Sequence, residues 1–246
     1  MTRATITAMP GMHTTIMPAE PSTTDPLGRL RLMQLISPAL PIGAFTYSQG
    51  LEWAVEAGWV RSAPSLVDWL GGLIGDGLAQ LELPILVRLY RCCEQADPDA
   101  LAYWGRVLYA ARETRELRAE ERNRARALIS LLADLGIGRA RDWREALGHC
   151  QAAPFALAAV QWQIGLQDCA LGYAWGWLEN QVAAAIKLVP LGQTDGQRVQ
   201  LELAGHLPGV IERALNLADE DIGASAPALA IASARHETQY TRLFRS

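Results

Sequence analysis

The stretch that decides the fold is residues 153–189, APFALAAVQWQIGLQDCALGYAWGWLENQVAAAIKLV. It is almost free of charge, and its apolar residues recur at helical spacing, which predicts two long helices divided near Gln167 and Asp168. Alanine and glycine recur through both halves and let neighbouring helices approach closely. We therefore expect a helical hairpin at the centre of a bundle, ended by Pro190.

Helical spacing continues on both sides of this hairpin. It predicts an all-α fold, an irregular helical bundle of about ten helices in a single domain. No alternating β pattern is longer than a few residues, and no repeat returns at a fixed period. We expect three parts: a flexible N-terminal tail over residues 1–26, a helical domain over residues 27–232 and a C-terminal partner-binding tail over residues 233–246.

The segment from Ser62 to Leu81 is the least regular part of this pattern. Ser62 can cap a helix that has Pro64 in its first turn, but four glycines follow between Gly71 and Gly77. Each glycine weakens a helix by about 1 kcal/mol relative to alanine. Either another helix packs very close here or the segment is broken.

The most strongly signalled helix begins after a cap at Thr114 and ends at Gly136. Its first part, residues 115–126, alternates acidic and basic side chains at helical spacing. We expect these mixed charges to lie on an exposed face, with the apolar second half of the helix in the core.

The composition of the chain argues against several classes of protein. The chain has 246 residues, 50% of them hydrophobic, with a net charge of −4 and a pI of about 5.6. It lacks the concentrated basic excess of a general nucleic-acid binder. The four cysteines form no CxxC pair, which favours buried thiols in a reducing compartment. No secretory signal is visible, and residues 146–167 are too polar for a membrane span, so we expect a cytoplasmic protein that binds neither nucleic acid nor membrane.

Catalytic and nucleotide-binding motifs do not occur in the sequence. There is no GxxxxGK[ST] phosphate loop, and the only lysine, Lys187, has no glycine loop before it. GxSxG, HExxH and a strand-linked GxGxxG are also missing. The four histidines are scattered, so we predict no metal site and no cofactor. The acidic run at residues 219–221 is interpreted as solvated, and the chain is expected not to be an enzyme.

Three segments combine apolar and special polar residues without helical periodicity. The first, SPALPIGAFTYSQGLE over residues 37–52, contains two prolines and is either a helix-breaking corner or a rigid corner that displays side chains to a partner. The second, residues 187–197, is either an ordinary connector or a contact surface around Lys187. The third, residues 233–246, concentrates Arg, Tyr and Phe, which are enriched at interfaces, and favours partner binding.

These segments are also where the chain resembles the UreF family of urease accessory proteins. The similar blocks, in the expected order, are residues 37–52, ETRELRAEERNRARAL over 113–128, WLENQVAAAIKLVPLGQTDGQ over 177–197 and ARHETQYTRLFRS over 234–246. The similarity runs from about Leu27 to the end. One departure is HCQAAPFA, residues 149–156, where Gln151 and Pro154 are placed differently from the family's stretch.

The resemblance implies an all-α, dimeric adaptor without a catalytic site of its own. Such proteins bind the UreD/UreH scaffold protein and then the P-loop GTPase UreG. The assembly docks on apo-urease and couples GTP hydrolysis to delivery of nickel. The alternative is a helical protein–protein adaptor of an unrelated pathway.

The resemblance also implies which residues bind partners. The corner that packs against the tail and the scaffold is assigned to Pro41, Ile42, Gly43, Phe45 and Ser48. The tail residues are Arg235, His236, Glu237, Tyr240, Arg242, Phe244 and Arg245. Contact with the GTPase is assigned to Glu113, Arg115, Glu116 and Lys187. Because ordering a tail costs about 1–2 kcal/mol per residue in backbone entropy, we expect the tail to be mobile in the isolated chain, to become ordered on scaffold binding and to contribute little to stability.

Overall fold

The computed structural model describes residues 24–246, and over this range the fold is all-α, as predicted. The helices are α1 Pro26–Ile36, α2 Leu51–Glu56, α3 Ala63–Leu73, α4 Leu83–Gln95, α5 Pro98–Ala110, α6 Arg115–Asp134, α7 Gly138–Asp142, α8 Arg144–Leu147, α9 Ala152–Gln161, α10 Leu166–Leu188, α11 Gln193–Ala204, α12 Leu207–Asn216 and α13 Pro227–His236. A π-helical segment, Ile74–Glu82, joins α3 to α4, and 3-10 turns lie at Ala44–Thr46 and Asp219–Asp221. The number of α-helices exceeds the expected ten, mainly because it includes the very short helices α7 and α8.

The predicted N-terminal tail, residues 1–26, lies outside the described residues except for its last three. Thr24 is buried; its hydroxyl donates a hydrogen bond to Asp168 and accepts one from the backbone N–H of Gly165. Asp25 caps α1. These three residues therefore belong to the folded part of the chain.

The predicted hairpin lies in the core, as α9 and α10. Their division falls at residues 162–165, slightly earlier than expected. α4 packs against α9, and α10 contacts α1, α11 and α12. Small residues permit this packing: a Cβ added at Gly172 would lie 2.6 Å from Leu32 of α1. The hairpin thus supplies the surface on which the other helices assemble.

The glycine-rich segment fits neither of its two expected forms. α3, the π-helical segment and α4 run on as one helical stretch, and a Cβ added at Gly72, Gly75 or Gly77 would meet no atom within 4 Å. The helix is therefore widened, not broken, and the glycines are not there for close packing. This stretch, Ala63–Gln95, is the one helix of residues 24–246 long and apolar enough to cross a membrane, but 67% of its most apolar window is buried inside the protein.

Candidate functional site

Two carboxylates in the charged first half of α6 are buried, so the expectation that its mixed charges lie on an exposed face is wrong for them, although Arg115, Arg122 and Arg126 are exposed. Glu120 is only 3% exposed, and Glu121 is also buried. Glu121 lies one helical turn from the core residues Leu117 and Ala125, which places its carboxylate on the apolar stripe. Buried carboxylates need charged or hydrogen-bonding partners. Outside α6, Glu120 and Glu121 find them at Arg112, Gln49, Ser246 and the backbone N–H of Gln151.

One group of partners surrounds Arg112, just before α6. Its guanidinium lies 2.6 Å from Glu82 Oε2 and 2.6 Å from Glu121 Oε1, and the Tyr173 hydroxyl donates to the other oxygen of Glu82. Burial alone would raise the pKa of Glu82, but the Arg112 charge and hydrogen bonds outweigh it and hold that pKa below its usual value. Burial would likewise lower the pKa of Arg112, but Glu82 and Glu121 keep it well above its usual value.

Glu120 has different surroundings. Its Oε1 accepts hydrogen bonds from Arg124 (2.8 Å) and from the Gln49 amide (2.9 Å), and its Oε2 accepts one from the hydroxyl of the terminal residue Ser246 (3.0 Å). Burial raises the pKa of Glu120, and the Arg124 charge only partly opposes this. A single carboxylate thus joins α6 to the corner and to the end of the chain.

The corner, residues 37–52, has its own tight geometry. Gly43 and Gly50 have φ of 71° and 78°, values that favour glycine. A Cβ at Gly50 would lie 2.9 Å from the backbone nitrogen of Ser233 in α13, so glycine also permits close contact here. Ser48 is fully buried, whereas Phe45 is 62% exposed. The corner is therefore both a packing element and a display of one aromatic side chain.

The C-terminal tail is docked on this corner. The Ser48 backbone N–H donates to Ser246 O at 2.8 Å, and Arg245 N–H donates to Thr46 O at 2.8 Å. The Glu52 carboxylate accepts the backbone N–H groups of Leu243 and Phe244 at 2.6 and 2.9 Å. These bonds give partners to the N–H groups of Leu243, Phe244 and Arg245 and to the carbonyl of Ser246, without any helix or sheet.

His236 links the same carboxylate to α6. The imidazole is fully buried, with Nε2 3.1 Å from Glu52 Oε2 and Nδ1 2.7 Å from Glu116 Oε2. Both ring nitrogens can donate only when the imidazole is doubly protonated. Arg242 donates to the second oxygen of Glu116 at 2.6 Å. We call the unit of Glu52, Glu116, His236 and Arg242 the histidine clamp.

Glu237 and Lys187 complete the attachment of the tail. Glu237 Oε1 accepts the backbone N–H groups of Arg115 and Glu116 at the start of α6, where a negative charge is favoured by the helix dipole. Lys187 Nζ lies 5.7 Å from the centre of the Phe244 ring. The structure therefore brings together all four sequence blocks: the corner, the start of α6, the end of α10 and the tail.

The structure shows the tail docked on the corner, whereas the sequence led us to expect a mobile tail that contributes little to stability. In the structure, the buried carboxylates and imidazole supply the hydrogen-bond partners that offset the entropy of ordering the segment. The predicted partner-binding residues divide by exposure. Exposed are Pro41, Phe45, Glu113, Arg115, Lys187, Arg235, Tyr240, Arg242 and Arg245; half-buried are Gly43, Glu116 and Glu237; buried are Ile42, Ser48, His236 and Phe244.

Sequence reasoning missed the residues that hold these blocks together, above all Gln49, Glu52, Glu82, Arg112 and Glu120. The burial of Glu121 could have been predicted, because this residue lies four residues from Leu117 and from Ala125 on the apolar stripe of the helix. No comparable signal marks Glu82 or Glu52, because their partners lie 30 and 184 residues away along the chain.

The four cysteines are buried and free, as expected for structural thiols. Burial raises the pKa of Cys93 to about 12 and also raises those of Cys92, Cys150 and Cys169. Within residues 24–246, no group of three or more His, Cys, Asp or Glu side chains is arranged to hold a metal ion.

The sequence of the chain is similar to those of known proteins. Residues 60–204 match the UreF family model. A protein of Pseudomonas putida (strain W619) described as urease accessory protein UreF is 54% identical over 220 residues, 89% of this chain and 98% of that protein. A protein of Alcanivorax borkumensis with the same description is 51% identical over 222 residues, 88% of this chain and 97% of that protein. The chain belongs to the UreF family of urease accessory proteins.

Proposed function

We propose that this chain is a non-catalytic cytoplasmic adaptor of urease maturation. It bridges a UreD/UreH-type scaffold protein and a UreG-type GTPase, and regulates the GTP-dependent insertion of nickel into apo-urease. The observation that carries this proposal is the joint surface made by the corner and the docked tail. Four separated blocks that resemble the family meet there, which is expected if they serve one shared task.

The composition of that surface supports protein binding. Phe45, Tyr240 and Leu243 expose large apolar side chains, and Arg242 and Arg245 are exposed beside them. Aromatic and arginine side chains are enriched among residues that dominate binding energy. Ser48, His236 and Phe244 are buried, so we assign them the role of holding the surface in shape.

The contact with the GTPase is assigned to the exposed residues next to this surface. Glu113 and Arg115 stand at the start of α6, and Lys187 stands beside Phe244. Because Glu116 accepts hydrogen bonds within the histidine clamp, it acts through the position of the tail. A partner that contacts the tail would therefore also influence the start of α6.

A homodimer is part of the proposal. α1 exposes Leu27, Leu30 and Met33 on the protein surface. Neighbouring exposed apolar side chains are typical of interaction sites. Light scattering on the purified chain should give twice the mass of one chain, and Leu30→Glu should lower that mass.

The decisive test is co-purification of the chain with UreD/UreH-type and UreG-type proteins. We expect a stable complex with the full chain and none with Phe45→Ala/Tyr240→Ala, because both exposed anchors are removed while the buried contacts remain. Leu201→Ala is a matched control, since Leu201 is also exposed and lies on α11. Complex formation that is unchanged by the double substitution would exclude this surface. A full chain that binds neither protein would leave the alternative of an adaptor in an unrelated pathway.

A further inference from the structure

A second surface, distinct from the corner and tail, is an open cleft of about 320 Å³ where α6 meets α8. We call it the arginine cleft. It is lined by Arg122, Arg126, Ile129, Arg144, Glu145, Gly148 and His149. None of these residues belongs to the histidine clamp or to the predicted partner-binding set.

The arginines of the cleft form no salt bridge among the described residues. The salt bridges of residues 24–246 involve Arg88, Arg112, Arg124, Arg198, Arg242 and His236, and no cleft arginine. Arg122 instead stacks on Tyr109, with its guanidinium carbon 4.3 Å from the ring centre. This contact positions Arg122, whose guanidinium forms no salt bridge with a carboxylate of the described residues.

The pKa of His149 reflects the positive charge of the neighbouring arginines. Burial lowers the pKa of His149, and Arg106 and Arg122 lower it further, while Glu145 only partly opposes them. The chain as a whole carries a net charge of −4. A concentration of positive charge on an acidic protein attracts and orients negatively charged partners.

We propose that the arginine cleft binds an acidic segment of a partner protein. Arg122 and Arg126 lie one helical turn apart, about 6 Å between their Cβ atoms. Alternate side chains of an extended segment repeat at about 6.6 Å, so two carboxylates of such a segment match the two arginines. Arg144 adds a third cation from α8. Residues 1–23 of the chain itself contain a single acidic side chain, Glu20, which makes them a poor occupant.

The test uses a fluorescent peptide that alternates Glu and Ala, with a peptide that alternates Gln and Ala as its control. We expect saturable binding of the Glu peptide to the full chain, weakened about tenfold by Arg122→Gln/Arg144→Gln because two exposed ion pairs are lost. Arg29→Gln/Arg213→Gln changes the net charge equally outside the cleft and should leave binding unchanged. In an NMR titration, the Glu peptide should raise the pKa of His149.

Three results would overturn the proposal. Equal binding of the Gln peptide would show that charge is irrelevant. Equal weakening by the control pair would reduce the effect to net charge. Tighter binding of inorganic pyrophosphate than of the Glu peptide, sensitive to the same two arginines, would make the cleft a site for small oxyanions and not for a protein segment.

Discussion

Both faces of α6 carry charged side chains, but one face is buried and the other is exposed. Glu120 and Glu121 are buried in paired contacts, whereas the neighbouring Arg122 and Arg126 are exposed and form no salt bridge within residues 24–246. Glu121 and Arg122 are adjacent in sequence, yet the first is buried and the second is exposed. Charge alternation along a helix therefore says little about burial unless the apolar positions of the same helix are considered with it.

The largest effect is expected when the buried face loses its central cation. Arg112→Met leaves Glu82 and Glu121 without their shared partner, and breaking a buried ion pair in this way destabilises a protein by about 3–5 kcal/mol. Urea denaturation measures the loss of unfolding free energy. On the exposed face, Arg126→Gln should change that free energy by less than about 0.5 kcal/mol, because Arg126 is exposed and forms no salt bridge within residues 24–246. Similar losses for both variants would contradict the contrast between the faces.

Loss of the histidine clamp should have the second largest effect. His236→Gln removes the imidazole that lies within hydrogen-bonding distance of two carboxylates, and we expect a cost of about 2–3 kcal/mol. Because Glu52 also accepts the amides of Leu243 and Phe244, hydrogen exchange at these two amides should accelerate more than exchange in α10. Arg235→Gln is the control, since Arg235 is an exposed cation on the same helix.

The same exchange experiment on the unsubstituted chain decides between two descriptions of the tail. Slow exchange at Leu243 and Phe244 is expected from the docked arrangement. Exchange at the rate of an unfolded peptide would show that the isolated chain leaves the tail free, as sequence reasoning expected, and that docking requires a partner.

A smaller effect is expected at Lys187. The cation lies over Phe244 at the surface, and such an exposed contact contributes about 0.5–1 kcal/mol. Lys187→Ala should therefore lower thermal stability only slightly, while urease activation in the reconstituted system decreases if Lys187 contacts the GTPase. Lys187→Arg should preserve the cation over the ring. Unchanged nickel occupancy and activity in Lys187→Ala would limit this residue to a role at the helix end.

The smallest effect is expected in the pH dependence of the unfolding free energy, through His149 of the arginine cleft. The folded-state pKa of His149 is lowered, so between that value and the unfolded value near 6.5 the unfolded chain binds more protons. The neutral imidazole of His149 therefore favours the folded state above pH 6.5. This stabilisation is lost as the pH falls from 6.5 to the folded-state pKa. His149→Asn should reduce the slope of unfolding free energy against pH there, and an unchanged slope would show that His149 is not responsible.

Local patterns were sufficient to predict much of the fold. The helical spacing of residues 153–189 predicted a central hairpin, and the cap at Thr114 predicted where α6 begins. The resemblance of four blocks indicated the family. The count of helices and several boundaries differed because short turns such as α7 and α8 depend on packing more than on their own periodicity.

The sequence by itself determined the helical class, the apolar hairpin and the family, because these depend on residue spacing within short windows. Only the tertiary structure decided which charges are buried. Glu52, Glu116 and His236 are separated by many residues along the chain, yet they meet within hydrogen-bonding distance. The physical reason is that the free energy of a charged side chain depends on its neighbours in space, and those neighbours are fixed only when the helices pack.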